Sequence, residues 1–162
     1  MFNYLFVVLI VVTIFIYYYS KKYSIKIRNQ SGYLHSLPQY YGFYASLWFL
    51  IPSLIIIGLY LIFAESFVTS TLIKSLPNDI KNLPVNELNL VVNDIKNLAV
   101  GNIANSSSFT EITEAANFYN KQNQLIDKVV FYSSLIIGLL TFTYAFKTIS
   151  SSGVIIPYAN NA

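Results

Sequence analysis

Cysteine is absent from the 162 residues and histidine occurs once, which rules out a disulfide framework, a thiolate metal site and a His-rich one. Charge is also scarce. Only 10% of the residues are charged against 55% hydrophobic, whereas average globular chains carry roughly a quarter charged residues. That composition is too apolar for a soluble domain and fits a membrane protein. The net charge of +3 does not point to nucleic acid, because the lysines are not gathered with interleaved aromatics. Acidic residues are missing before Glu65 and after Asp127.

The charge-poor windows are the candidate spans. Residues 2–19 are apolar apart from Asn3 and Thr13, and as a helix they extend roughly 27 Å, close to the hydrocarbon thickness. A secretory signal peptide would need a basic segment before this run and a small-residue cleavage site after it. Lys21 and Lys22 stand at the latter place, so the run reads as an uncleaved span. Tyr17, Tyr18 and Tyr19 at its end suit an interfacial aromatic belt.

Residues 20–39 hold Lys21, Lys22, Lys26 and Arg28 and no acid. A short loop with that bias is expected in the cytoplasm, and the same cluster is a weaker signal for anionic lipid. Residues 40–64 form the second span. Pro38 suits a helix start, and Tyr40, Tyr41, Phe43, Tyr44 and Trp48 crowd the same end. Pro52 inside the span is expected to kink the helix or to free a carbonyl near Ser46, Leu47 and Trp48 unless a neighbour satisfies it. Gly42 and Ser46 form a small-xxx-small pair suited to close helix approach.

Between residues 65 and 128 lie all seven acidic residues, together with Lys74, Lys81, Lys96, Lys121 and Lys128. By alternation this segment lies outside. After Pro77 and Pro84, the residues Leu88, Val91, Val92, Ile95, Leu98 and Ala99 repeat at helical spacing, with Gly101 placed for an αL cap. Asn102 to Ser107 reads as a link and Ser108 to Glu111 as a capping box. Ile112, Ala115, Ala116 and Tyr119 stripe a second helix that no Gly or Pro interrupts before Gly138. The two stripes are expected to pack on each other.

Residues 129–147 form the third span, with Ser133, Ser134 and Gly138 as contact candidates. The uncharged residues 148–162 read as a cytoplasmic tail cut short. The fold expected is an all-α membrane protein: three transmembrane helices with an external helical hairpin between the second and third. Its N-terminus lies outside and its C-terminus in the cytoplasm.

No span holds an ionisable residue in its interior, so these helices do not line a charged-substrate path by themselves. Glu111 and Glu114 read as a solvated helix face rather than an acid-base pair. His35 reads as interfacial. No catalytic, cofactor or metal site is expected, and the chain does not read as an enzyme.

One stretch holds more than hydropathy demands. Leu34, His35, Ser36, Pro38, Tyr41, Gly42, Tyr44, Leu47, Trp48 and Pro52 resemble the N-terminal extension of PstC-type permease subunits of bacterial phosphate ABC importers. The run Asn93 to Ala99 followed by Gly101 is similar to a D-I-R-x-L-A-x-G run of that extension. The resemblance covers roughly residues 1–147 and implies an accessory segment in the bacterial inner membrane that supports assembly or positioning of the translocation pathway. Its implied partners are membrane lipid, other permease subunits and, through a permease core not present here, an ATPase subunit and a periplasmic phosphate-binding protein. No phosphate-site residue is carried over. The other readings are the input module of a transmembrane sensor and a small free-standing membrane scaffold.

Overall fold

A computed structural model describes residues 2–31, 36–102 and 109–152. All the secondary structure among them is helical: α1 (Phe2–Ser31), α2 (Pro38–Ser75), α3 (Asn78–Lys81), α4 (Val85–Ala99) and α5 (Phe109–Ser152). Parts of α1, α2 and α5 are long and apolar enough to cross a membrane. The chain is an all-α membrane protein.

Helix ends follow the backbone-breaking residues rather than the ends of the apolar runs. No Gly or Pro lies between residues 2 and 31, so α1 continues through Lys21, Lys22, Lys26 and Arg28. The basic segment expected as a loop is thus helical as far as Ser31. Likewise α2 runs on to Ser75 and stops before Pro77, which disfavours helix at the residue preceding it. α5 is unbroken over 44 residues.

Two compact units are present, Met1–Ile57 with Phe131–Ala162, and Gly58–Val130. In the first, each helix buries a narrow stripe. Leu5, Leu9, Ile16, Ser20 and Ser24 are buried on α1, Ala45, Ser46, Phe49, Ser53 and Ile57 on α2, and Ser134, Ala145 and Ile149 on α5. Large apolar side chains such as Val11, Ile55 and Leu140 point outward. This distribution suits lipid as the surrounding solvent: helices associate there through small residues and close packing, while apolar side chains face the acyl chains.

The second unit has a conventional core of Leu72, Leu76, Val92, Ile95, Ile112 and Ala116. Leu88, Val91, Leu98, Ala99, Ala115 and Tyr119 pack around it, so the stripes of α4 and α5 do meet. They are joined by the end of α2, which supplies Leu72 and Leu76 because that helix outlasts its apolar run. Pro77 and Pro84 stand at the starts of α3 and α4. α4 closes on Gly101 at φ 91°. The Gly101 amide donates to Leu98 O at 3.0 Å and the Asn102 amide to Asn97 O at 2.9 Å, the paired bonds of a Schellman cap. Asn120 Nδ2 satisfies the Ala99 carbonyl at 3.0 Å. Ser108 of the expected capping box lies outside the described residues.

Candidate functional site

α2 carries most of the family-like stretch, and the structure divides those residues among different surroundings. Leu34 and His35 lie outside the described residues. Gly42 is buried: a Cβ placed on it would lie 2.8 Å from Tyr17 Cδ2 and 3.0 Å from Tyr17 O. One turn on, Ser46 Oγ donates to Thr13 O at 3.4 Å. Both members of the small-residue pair therefore sit where α1 meets α2.

Another face of α2 meets α5. Phe49 and Ser53 are fully buried. A Cβ on Gly138 would collide with Ser53 Oγ and lie 2.9 Å from Phe49 Cδ2, so glycine sets the approach of these helices. Ser53 Oγ lies 2.8 Å from Phe49 O and 2.9 Å from Ser134 O, and shares its one proton between them. Pro52 has no amide hydrogen to give to Trp48 O. Thr141 Oγ1 reaches that oxygen at 2.5 Å. Two α5 carbonyls, Gly138 O at 2.9 Å and Ile137 O at 3.1 Å, compete for the same proton. Reading the sequence alone misses Thr141. A signal for it exists, because a carbonyl freed by proline in mid-span needs a hydroxyl from a neighbouring span.

Aromatic rings from all three long helices gather near the same end of this unit. Tyr17 packs on Phe43 at 4.9 Å between centroids, Tyr19 and Tyr23 on Phe146 at 5.5 and 4.7 Å, and Trp48 on Tyr44 at 6.1 Å and Tyr144 at 5.9 Å. Such a cluster suits a membrane–water interface, where amphipathic rings are favoured. Lys21 Nζ lies 5.9 Å from the Tyr17 centroid. Lys22, Lys26 and Arg28 are exposed.

The remaining residues of the stretch face two recesses. Tyr44, Leu47, Trp48 and Pro52, with Ile51, line an open apolar groove of about 340 Å³. Ser36, Tyr41 and Tyr44 line part of a smaller one of about 240 Å³ that Tyr40, Thr148 and Ile149 complete. Pro38 opens the helix, and the Tyr40 amide donates to Leu37 O at 2.9 Å.

In the second unit Tyr60 donates to Asp127 Oδ1 at 2.7 Å and Lys96 pairs with Glu65 at 3.0 Å. The Glu65 side chain is 80% exposed, which leaves that pair little weight in stability. Glu114 is exposed, as a solvated face requires, while the Glu111 side chain lies outside the described residues. Among the described residues no His, Cys, Asp or Glu cluster is fit to hold a metal.

From residue 5 to residue 143 the sequence matches the model of a family described as phosphate ATP-binding cassette transporter. The chain belongs to that family. The match spans the three membrane-type helices and the acidic segment, so it concerns the architecture as a whole and not one run of apolar residues. No match was found among curated proteins or among solved structures.

Proposed function

We propose that this chain is the membrane-embedded N-terminal segment of a PstC-type phosphate importer permease, and that it holds or positions the translocating part of that permease without catalysing a reaction. Family membership supplies the transport context. The observation that carries the accessory role is the groove formed by Tyr44, Leu47, Trp48, Ile51 and Pro52. Four of those residues belong to the stretch that exceeds the demands of hydropathy, and none of the five is buried in the unit's own interior. Leu47 is 49% and Ile51 51% exposed. A groove of rings, branched aliphatics and a proline suits a further transmembrane helix, because close packing drives helix association in lipid.

In this reading the end of α1 lies in the cytoplasm of a bacterial inner membrane, the acidic segment lies outside, and the N-terminus is external. The other permease subunits are the direct partners. An ATPase subunit and a periplasmic phosphate-binding protein are reached only through the permease core.

The chain has no cysteine, which makes single-cysteine crosslinking clean. Leu47→Cys or Ile51→Cys, expressed with the rest of the importer, is expected to crosslink to a core helix, whereas Val11→Cys on α1 is not. Equal yields at the three positions, or adducts with lipid-soluble quenchers alone, would remove the groove from the interface.

A further inference from the structure

We propose that the end of α1, from Lys21 to Gln30, is a binding surface for anionic phospholipid headgroups. Its 30 residues make α1 roughly 45 Å long, against a hydrocarbon core of about 30 Å, so several turns project beyond the span. Because these turns are helical, their charges have fixed places. Lys22 and Lys26 stand one turn apart and both are exposed. With Tyr19, Tyr23, Ile25, Asn29 and Gln30 they line a groove of about 570 Å³.

The lining of this groove joins apolar and cationic side chains, as an amphiphile requires. Tyr19 is nearest the apolar run, and Tyr19 and Tyr23 both pack on Phe146 within the aromatic cluster. Lys22 stands beside Tyr23, and Ile25 and Lys26 follow, then the amides of Asn29 and Gln30. A ligand lying along it meets rings and aliphatic surface with the two ammonium groups at its edge, a combination that takes both the acyl and the anionic part of a phospholipid.

Charge balance separates this surface from an ordinary solvated face. All seven acidic residues fall between Glu65 and Asp127, within the other unit. Lys21, Lys22, Lys26, Arg28 and Lys147 therefore have no carboxylate side chain in their own unit. Lysines clustered immediately beside a span attract anionic headgroups, and each contributes about fivefold in binding near the surface.

The full chain, purified and equilibrated with mixed phosphatidylglycerol and phosphatidylcholine, is released into the gas phase and its retained lipids are counted by native mass spectrometry. Wild type is expected to keep phosphatidylglycerol in preference. K22Q/K26Q is expected to lose that preference by about tenfold or more, and K22R/K26R to retain it. K21Q/R28Q removes the same charge from beside the groove and is expected to weaken the preference by clearly less than K22Q/K26Q does. The proposal fails if wild type shows no preference, or if K21Q/R28Q loses as much as K22Q/K26Q. It also fails if inorganic phosphate displaces the lipid at equal concentration, which would mark an ion site instead.

Discussion

Thr141 on α5 donates its hydroxyl to the carbonyl of Trp48 on α2, the carbonyl that Pro52 leaves without an amide. The other acceptors within reach of Thr141, Gly138 O and Ile137 O, belong to uninterrupted α5, where backbone amides already serve them. Trp48 O has no such supply, and within a span little water is at hand to replace it. The side chain of one span thus repairs the backbone of another, and α2 passes through Pro52 as a single helix.

A double-mutant cycle isolates that repair. Thr141→Val is expected to destabilise the chain by about 1 kcal/mol, the usual scale of an interhelical bond in a bilayer, while Thr141→Ser is near neutral. Pro52→Ala restores an amide to Trp48 O, so Thr141→Val in that background is expected to cost close to nothing. Unfolding from micelles by added denaturing detergent measures all four proteins. An unchanged cost of Thr141→Val in the Pro52→Ala background would mean the hydroxyl serves its own helix instead.

Two glycines in spans make a matched pair. A Cβ on Gly138 would strike the Ser53 hydroxyl and the Phe49 ring, whereas a Cβ on Gly58 meets nothing within 4 Å. Gly138→Ala is therefore expected to cost roughly 1–3 kcal/mol, the range for overpacking a core. Gly58→Ala is expected to be neutral or to stabilise by up to about 1 kcal/mol through helix propensity. Ser53→Ala added to Gly138→Ala should recover only part of the loss, because the fully buried Phe49 ring remains. Equal effects at the two glycines would deny Gly138 its role in spacing the helices.

Sequence is informative here wherever one residue type has one physical use. Pro38, Pro52, Gly101 and the paired stripes of Val92, Ile95, Ile112 and Ala116 stand where their chemistry predicts. The ends of α1 and α2 are not legible from hydropathy, because a helix does not stop where it leaves an apolar environment. It stops at Gly, Pro or a cap, and no such stop cuts α1 before Ser31 or α2 after its apolar run until Ser75. Side-chain partners across helices are less legible still. That Tyr60 meets Asp127, or Thr141 meets Trp48, depends on the relative rotation of two helices, which periodicity in one of them does not set.

Gly101 adopts φ 91° at the end of α4, a conformation open to glycine and costly to residues with a Cβ. Gly101→Ala is expected to destabilise the second unit by about 1 kcal/mol and Gly101→Asn by less, since asparagine tolerates this region better. Ile95 is fully buried in the core that α4 shares with α2 and α5, so Ile95→Ala is expected to cost about 2–5 kcal/mol. Amide exchange over α4 reports both: Gly101→Ala should speed exchange mainly in its last turn, Ile95→Ala throughout.

Tyr60 gives its hydroxyl to the Asp127 carboxylate at 2.7 Å, joining α2 to α5. Hydrogen bonds to charged groups contribute about 1.5–3 kcal/mol, so Tyr60→Phe is expected to lose an amount near the lower end because Asp127 is only half-buried. Asp127→Asn keeps an acceptor oxygen and should lose less. If Asp127→Asn proves the more damaging change in thermal unfolding, the negative charge matters for a reason other than Tyr60.

Sidedness is open to direct labelling, and burial decides where the probes belong. Ser24 lies in the basic segment but is fully buried, so a cysteine there would resist reagents on either side. Gln30 and Asn89 are exposed on α1 and α4 and suit the purpose. In intact cells an impermeant maleimide is expected to label Asn89→Cys and to spare Gln30→Cys until the membrane is opened, because Lys and Arg beside a span resist translocation while the acidic segment does not. Replacing Lys21, Lys22, Lys26 and Arg28 together by glutamine should weaken that orientation and yield a mixed population. Labelling of both cysteines from one side in the native chain would require an even number of crossings between residues 30 and 89. α2 alone would then not span the membrane.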